Sequence, residues 1–148
     1  MREVLAEKLL NGWLQNRQQT LFPLTVNLRT LTPAWVGLLL RLTALAIAVG
    51  PPADAARLHT VRSWLISVGA TPDHVLAFDA ALDEPMLPGA LLHELQTANL
   101  GAYAYAMSLG ALDHRDAYAQ PFLEFLAARL AVPASIVRSV RRRQRVRC

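Results

Sequence analysis

The chain of 148 residues contains a single cysteine, Cys148, which is also its last residue. One thiol excludes an internal disulfide framework. The first residues also lack the apolar stretch and the small-residue cleavage site of a secretory signal. Together these two absences predict a reducing, cytoplasmic location.

Motifs that carry catalysis are also missing. The seven glycines are isolated, which excludes a glycine-rich phosphate loop. His93 and Glu94 have no second histidine four residues after the first, so the spacing of a zinc protease is absent. No serine stands in a nucleophile-elbow setting. We therefore predict a protein that is not an enzyme, with no catalytic residue, no metal site and no cofactor.

The longest apolar run is too short to cross a membrane. Residues 34–49 form a stretch of sixteen residues in which Arg41 is the one charged side chain. As a helix this stretch spans about 24 Å, less than the hydrocarbon core of about 30 Å. A central arginine also disfavours insertion by about 2.5–3.5 kcal/mol. We interpret the run as a buried central helix, in which Arg41 either reaches the surface or pairs with Asp79, Glu94 or Asp113.

What the chain does have is apolar helical periodicity. Apolar residues make up 53% of the sequence and charged residues 18%, which is typical of a globular domain with a large core. No run alternates with period two for long enough to form a sheet, and no repeat is visible. The sequence therefore predicts an all-α, single-domain bundle of about six or seven helices.

Capping residues and prolines divide the chain. Residues 1–31 are predicted to hold an amphipathic helix over 2–19, marked by Leu5, Leu9 and Trp13, and an extended connector over 20–31. Residues 32–137 are predicted to form the helical core, and 138–148 an arginine-rich tail. Within the core, predicted helices begin after Thr32, at Asp54, after Thr71, at 98, near Pro121 and at Pro133, with a short helical turn over 89–95.

Three further expectations concern individual side chains. Trp13, Trp35 and Trp64 lie on apolar stripes and are expected in the core, as is Phe125. Of Tyr103 and Tyr105, which point in opposite directions on a helix, one is expected to be buried. The histidines are expected at the surface or at helix ends: His59, His74, His93 and His114.

Two segments together resemble the TerB-like domains, including a related bacterial group of unknown function associated with the inner membrane. They are residues 38–50, LLLRLTALAIAVG, and residues 107–137, MSLGALDHRDAYAQPFLEFLAARLAVPASIV. Leu112-Asp113 matches an Ile-Asp step of that family, Phe122-Leu123 a Tyr-Leu pair, and residues 130–133 the link before its last helix. The resemblance implies a helical domain in a bacterial envelope or stress-response context.

Acidic positions of the family are replaced in this chain. Val49 stands where the family has an aspartate before the turn glycine, Arg57 at the next acidic position and Ala119 at a later glutamate. Divalent cations need several converging oxygen ligands, which these side chains do not supply. A metal-binding protein or hydrolase of this family is therefore the least favoured interpretation.

Asp113, His114 and Asp116 form the densest polar cluster. Two carboxylates around an imidazole are a pattern that tunes a general base or binds a cation. A solvated loop in which Asp116 caps the next helix is the favoured interpretation. Gln120, just before Pro121, is a second candidate for that cap.

The tail carries the clearest signal of an interaction. Residues 1–137 have a net charge of −2, whereas residues 138–148 have six arginines and no acid. On a continued helix, Arg138, Arg141, Arg142 and Arg145 share one face, while Ile136, Val137 and Val140 pack on the other. The candidate binding residues are Arg138, Arg141, Arg142, Arg143, Arg145 and Arg147.

Such a cationic stripe binds anionic lipid headgroups, acidic proteins or phosphate backbones. The sequence therefore predicts a non-enzymatic helical adaptor that contacts an acidic partner or an anionic membrane surface, with nucleic-acid binding as the alternative. The interpretation without any binding is a frayed, solvated tail that improves solubility. The high apolar content adds self-association as a further expectation.

Overall fold

A computed structural model describes residues 26–84 and 87–147, with side chains as far as Arg142. The predicted helix over residues 2–19, including Trp13, lies outside this part, as does Cys148. The described chain is an all-α bundle of seven α-helices with one short 3-10 helix at Leu28–Thr30, and it contains no strand. The α-helices are α1 (Pro33–Val49), α2 (Ala55–Ser67), α3 (Pro72–Asp83), α4 (Pro88–Thr97), α5 (Gly101–Ala111), α6 (Ala119–Arg129) and α7 (Ala134–Arg147).

Side-chain caps start three of the helices, as their sequences predict. The Trp35 amide donates to Thr32 Oγ1 at 3.3 Å at the start of α1. The Arg57 amide donates to Asp54 Oδ1 at 2.8 Å at the start of α2. At α3 the Thr71 and His74 side chains and amides exchange two hydrogen bonds in a capping box. Each such cap satisfies a backbone donor that has no partner inside the helix.

Helix α1 is the centre of the bundle, because it packs against α3, α4 and α5. Eight of its residues are buried: Val36, Leu39, Leu40, Leu42, Thr43, Ala44, Ala46 and Ile47. Arg41 reaches the surface, in agreement with the first of its two interpretations. No helix within residues 26–84 or 87–147 is long and apolar enough to cross a membrane.

The chain between α4 and α6 departs from the predicted boundaries. The short turn expected over residues 89–95 is a full helix, α4, and the helix expected to begin at residue 98 begins only at Gly101. Asn99 separates the two with a φ of 58°, a left-handed conformation that asparagine tolerates better than most residues. Helix α6 begins at Ala119 without a side-chain cap, so the predicted caps by Asp116 and Gln120 are wrong.

Two aromatic residues expected in the core lie at the surface. Trp35 is 38% exposed and Phe125 is 53% exposed, so their predicted burial is wrong, whereas Trp64 is half-buried against the core. Periodicity identifies the apolar side of a helix, but the width of the buried arc depends on which helices pack there. Tyr105 is buried and Tyr103 half-buried, as expected of two residues on opposite sides of one helix.

Candidate functional site

Helix α7 continues through the arginine-rich segment as far as Arg147. Ile136, Ser139 and Val140 are buried, and the helix packs on α5. Arg138 and Arg142, one turn apart, are both exposed on the outer side. The buried residues therefore tie a cationic helix to the bundle, with two arginines presented to solvent.

Arg141 is held by the bundle. Its Nε donates to the Tyr105 hydroxyl at 2.8 Å, and its Nη2 donates to Gln120 Oε1 at 2.9 Å. Tyr105 is 1% exposed, and a buried phenol requires a hydrogen-bond partner. Arg141 therefore links α7 to α5 and α6 and fixes the direction in which Arg138 and Arg142 project. Arg143, Arg145 and Arg147 follow on the same helix.

Within the polar cluster around His114, the imidazole and the Asp113 carboxylate bond to different groups. Asp113 accepts hydrogen bonds from the Arg115 amide at 3.0 Å and from its guanidinium at 3.1 and 2.9 Å. His114 Nε2 donates instead to the Leu109 carbonyl at 2.9 Å. Hydrogen bonds from the Arg115 side chain, and then from its amide, lower the pKa of Asp113 from 3.8 to about 2. The imidazole and the Asp113 carboxylate thus have separate partners.

The link between Asp113 and Arg115 gives a prediction that NMR can check. Replacing Arg115 with glutamine is expected to raise the pKa of Asp113 part of the way towards 3.8, since the amide bond remains. A lowered pKa in the folded protein favours folding above pH ~4, and that preference is lost as the pH falls towards about 2. The effect on stability is small, because the Arg115 side chain is 90% exposed.

Carbon-13 NMR titration of the Asp113 carboxyl measures this shift directly. The control is Arg62→Gln, which removes a different ion pair, the one between Arg62 Nε and Asp79 Oδ1 at 2.9 Å. An equal pKa in Arg115→Gln and the parent protein would refute the assigned cause.

A small polar cleft lies beside the loop that carries Asp113 and Asp116, between α5 and α6. It has a volume of about 170 Å³. Arg57, which lines the cleft, donates from its Nη2 to the Ala111 carbonyl. Burial raises the pKa of Tyr118, and the nearby Asp116 raises it further. The lining residues are Ile47, Pro51, Pro52, Ala53, Asp54, Arg57, Asp113, Asp116 and Tyr118. The cleft is smaller than the 300–1,000 Å³ usual for organic ligands.

An apolar groove lies on the other side of Tyr118, between α1, α4 and α6. Its volume is about 380 Å³ and its walls are Leu45, Val49, Pro88, Leu92, Tyr118, Pro121, Phe122 and Phe125. Gly50 lets the Tyr118 ring lie against the end of α1, since a Cβ there would sit 2.1 Å from two ring atoms. Tyr118 supplies the only polar side chain of the lining, so the groove suits an apolar side chain better than a polar metabolite.

Three positions, which the resemblance to TerB-like domains singled out in the sequence, are spread over these features. Val49 lines the apolar groove and Arg57 the polar cleft, whereas Ala119 is buried at the start of α6. Among the residues with described positions, no three His, Cys, Asp or Glu side chains are grouped so that they could hold a metal ion.

Neither cavity was predicted from the sequence, because each is formed by residues far apart in the chain. The only sequence signals were the loop prolines and the unusual Arg57. Comparisons of the chain with protein-family models, with curated proteins and with solved structures found no match. The fold and its surfaces therefore define an all-helical globular domain without a family assignment.

Proposed function

We propose that this protein is a non-enzymatic helical binding domain that attaches to an anionic membrane surface through the outer side of α7. The observation that carries the proposal is the exposed pair Arg138 and Arg142 on a helix anchored by Arg141. Anchoring reduces the conformational freedom that the helix loses when it binds.

A flat anionic layer fits this face better than a partner that inserts a side chain. Neither the polar cleft nor the apolar groove includes a residue of α7 in its lining. Lipid headgroups need charge rather than a cavity, and each arginine near such a surface contributes about 1 kcal/mol. An acidic protein and a nucleic acid offer the same charge, and the experiment below separates them.

The decisive experiment is flotation with vesicles of phosphatidylcholine, with and without phosphatidylserine. The double variant Arg138→Gln/Arg142→Gln is expected to bind the anionic vesicles about 30-fold more weakly, because two contacts of about 1 kcal/mol are lost. Deleting residues 138–148 is a poorer test, since it also removes the buried Val140 and the Arg141 anchor. Raising the salt concentration should weaken binding by the parent protein.

The matched control is Arg29→Gln/Arg115→Gln, which removes the same charge from two other exposed positions. It should bind like the parent protein. Equal losses in the two double variants would assign binding to net charge and refute a role for α7. Binding to duplex DNA without binding to anionic vesicles would establish the nucleic-acid alternative, and binding to neither would favour an acidic protein.

A TerB-like relationship and a cytoplasmic position at the inner membrane belong to the same proposal. The link over residues 130–133, which resembles that of the family, separates α6 from α7, and α1 ends at Val49 just before the turn glycine. With Val49, Arg57 and Ala119 at the acidic positions, the proposal uses the scaffold of the family without its metal chemistry.

A further inference from the structure

The polar cleft contains a carboxylate without a hydrogen-bond donor. Asp116 lines the cleft and is half-buried, and no residue in the described part of the chain donates a hydrogen bond to its side chain. The other two aspartates of the lining have donors: Asp113 is bonded to Arg115, and Asp54 accepts from the Arg57 amide. A half-buried charge that lacks a donor favours a cationic ligand.

The end of α1 borders the same cleft and offers further acceptors. Helices α2 to α6 each end with a cap amide that donates back into the last turn, whereas no such bond is made at Gly50 within the described chain. Pro51 and Pro52, which follow and line the cleft, have no N–H to donate. The free carbonyls of a helix C-terminus carry a partial negative charge, which adds to the charge of Asp116.

The arginine of the lining does not cancel this negative charge. Arg57 stands against three aspartates, so the formal charge stays negative even with Asp113 bonded to Arg115. Burial raises the pKa of Tyr118 most, and among the charges Asp116 raises it by more than Arg57 lowers it. A primary ammonium, which has three N–H donors and no acceptor, suits such a lining.

Tyr118 separates the polar cleft from the apolar groove, because its side chain lines both. The groove, at about 380 Å³, has the volume of a small-molecule site but no charged residue in its lining to orient a ligand. The cleft has the charge, but its volume of about 170 Å³ is too small to hold an apolar body as well. An amphiphilic cation uses both cavities.

We propose that the polar cleft and the apolar groove together bind a small apolar primary amine, with its ammonium beside Asp116 and its apolar part in the groove beyond Tyr118. The ammonium donates to the carboxylate and to the end of α1. The apolar part covers Val49 and Phe125, which are both 53% exposed. The inference concerns a surface separate from the outer side of α7 and does not depend on membrane binding.

The first test compares three probes that share one alkyl chain, by isothermal titration calorimetry at neutral pH. We expect n-octylamine to bind about tenfold more tightly than 1-octanol, because the ammonium adds charge-assisted hydrogen bonds. Octanoate should bind more weakly than both, since the cleft repels a carboxylate. Equal affinities for the amine and the alcohol, a preference for octanoate, or no binding of the amine at millimolar concentration would overturn the proposal.

The second test locates the ammonium. Asp116→Asn keeps the shape of the side chain and removes its charge, so the affinity for n-octylamine should fall about tenfold while that for 1-octanol stays within about twofold. The matched control is Asp73→Asn, at an exposed aspartate of α3 that lines neither cavity, and it should bind both probes like the parent protein. Equal losses of n-octylamine affinity in the two variants would show an effect of net charge alone and rule out the cleft.

The third test locates the apolar part of the ligand. Phe125→Ala removes a ring from the wall of the groove and should lower the affinity for n-octylamine about threefold. The affinity for n-butylamine, whose chain is too short to fill the groove, should change by less than about 1.5-fold. An unchanged affinity for n-octylamine would place its chain outside the groove and contradict a joined site.

Discussion

Replacing Phe78 with alanine is expected to lower the free energy of unfolding by about 3–5 kcal/mol. Phe78 is 0% exposed and is the one buried residue of α3, the helix that packs along α1. Truncating it removes an entire ring from the contact between the two helices and leaves a cavity. A small domain has about 5–15 kcal/mol of stability in total, so this one change removes a large share of it.

The chain contains a matched control for this substitution. Phe125 is 53% exposed on α6, and Phe125→Ala should cost less than about 1 kcal/mol, because little surface is removed from the core. Urea unfolding followed by circular dichroism measures both variants. Equal losses at the two positions would show that α3 does not occupy the place against α1 that the structure gives it.

Gly110→Val is expected to cost about 3 kcal/mol, because it displaces Trp64. A Cβ at residue 110 would lie 2.1 Å from Trp64 Cζ2 and 2.4 Å from Cε2, so the indole has to leave its place between α2 and α5. Losing the packing of a half-buried tryptophan corresponds to the lower end of the cost of a Trp→Ala substitution. Unfolding in urea gives the free energy, and a red shift of the tryptophan emission reports the exposed indole.

Two controls separate this clash from the general cost of valine in a helix. Gly89→Val is made where a Cβ meets nothing within 4 Å, and it should change the stability by less than about 0.5 kcal/mol. In a Trp64→Ala background the space is vacant, so Gly110→Val should then cost little. A full loss of stability in that background would show that the indole is not the obstacle.

Helix starts were predicted most accurately, from the capping residues beside them. Thr32, Asp54 and Thr71 marked helix starts correctly, because a capping hydrogen bond joins residues only two or three apart. Trp35 and Phe125 were placed wrongly in the core for the opposite reason. Both lie next to buried positions on an apolar helix, and only the arrangement of neighbouring helices decides which of those positions is covered.

The arginine-bearing helix α7 likewise has some features that the sequence predicts and others that it does not. The charge of the last eleven residues, and the helix that carries most of them, follow from composition and periodicity. The separate roles of the individual arginines do not follow from composition or periodicity. Arg141 is committed to Tyr105 and Gln120, which are 36 and 21 residues away in the chain, whereas Arg138 and Arg142 face solvent. No pattern along α7 alone distinguishes these positions.

By itself, then, the sequence determined the all-helical class, most helix starts and the concentration of positive charge at one end. These properties depend on backbone hydrogen bonding, capping and side-chain chemistry within a few residues. The tertiary structure decided which apolar sides are buried, which arginines are presented, and where the polar cleft and the apolar groove lie. Those features depend on contacts between distant segments, because burial is a property of the neighbours a residue acquires in the folded chain.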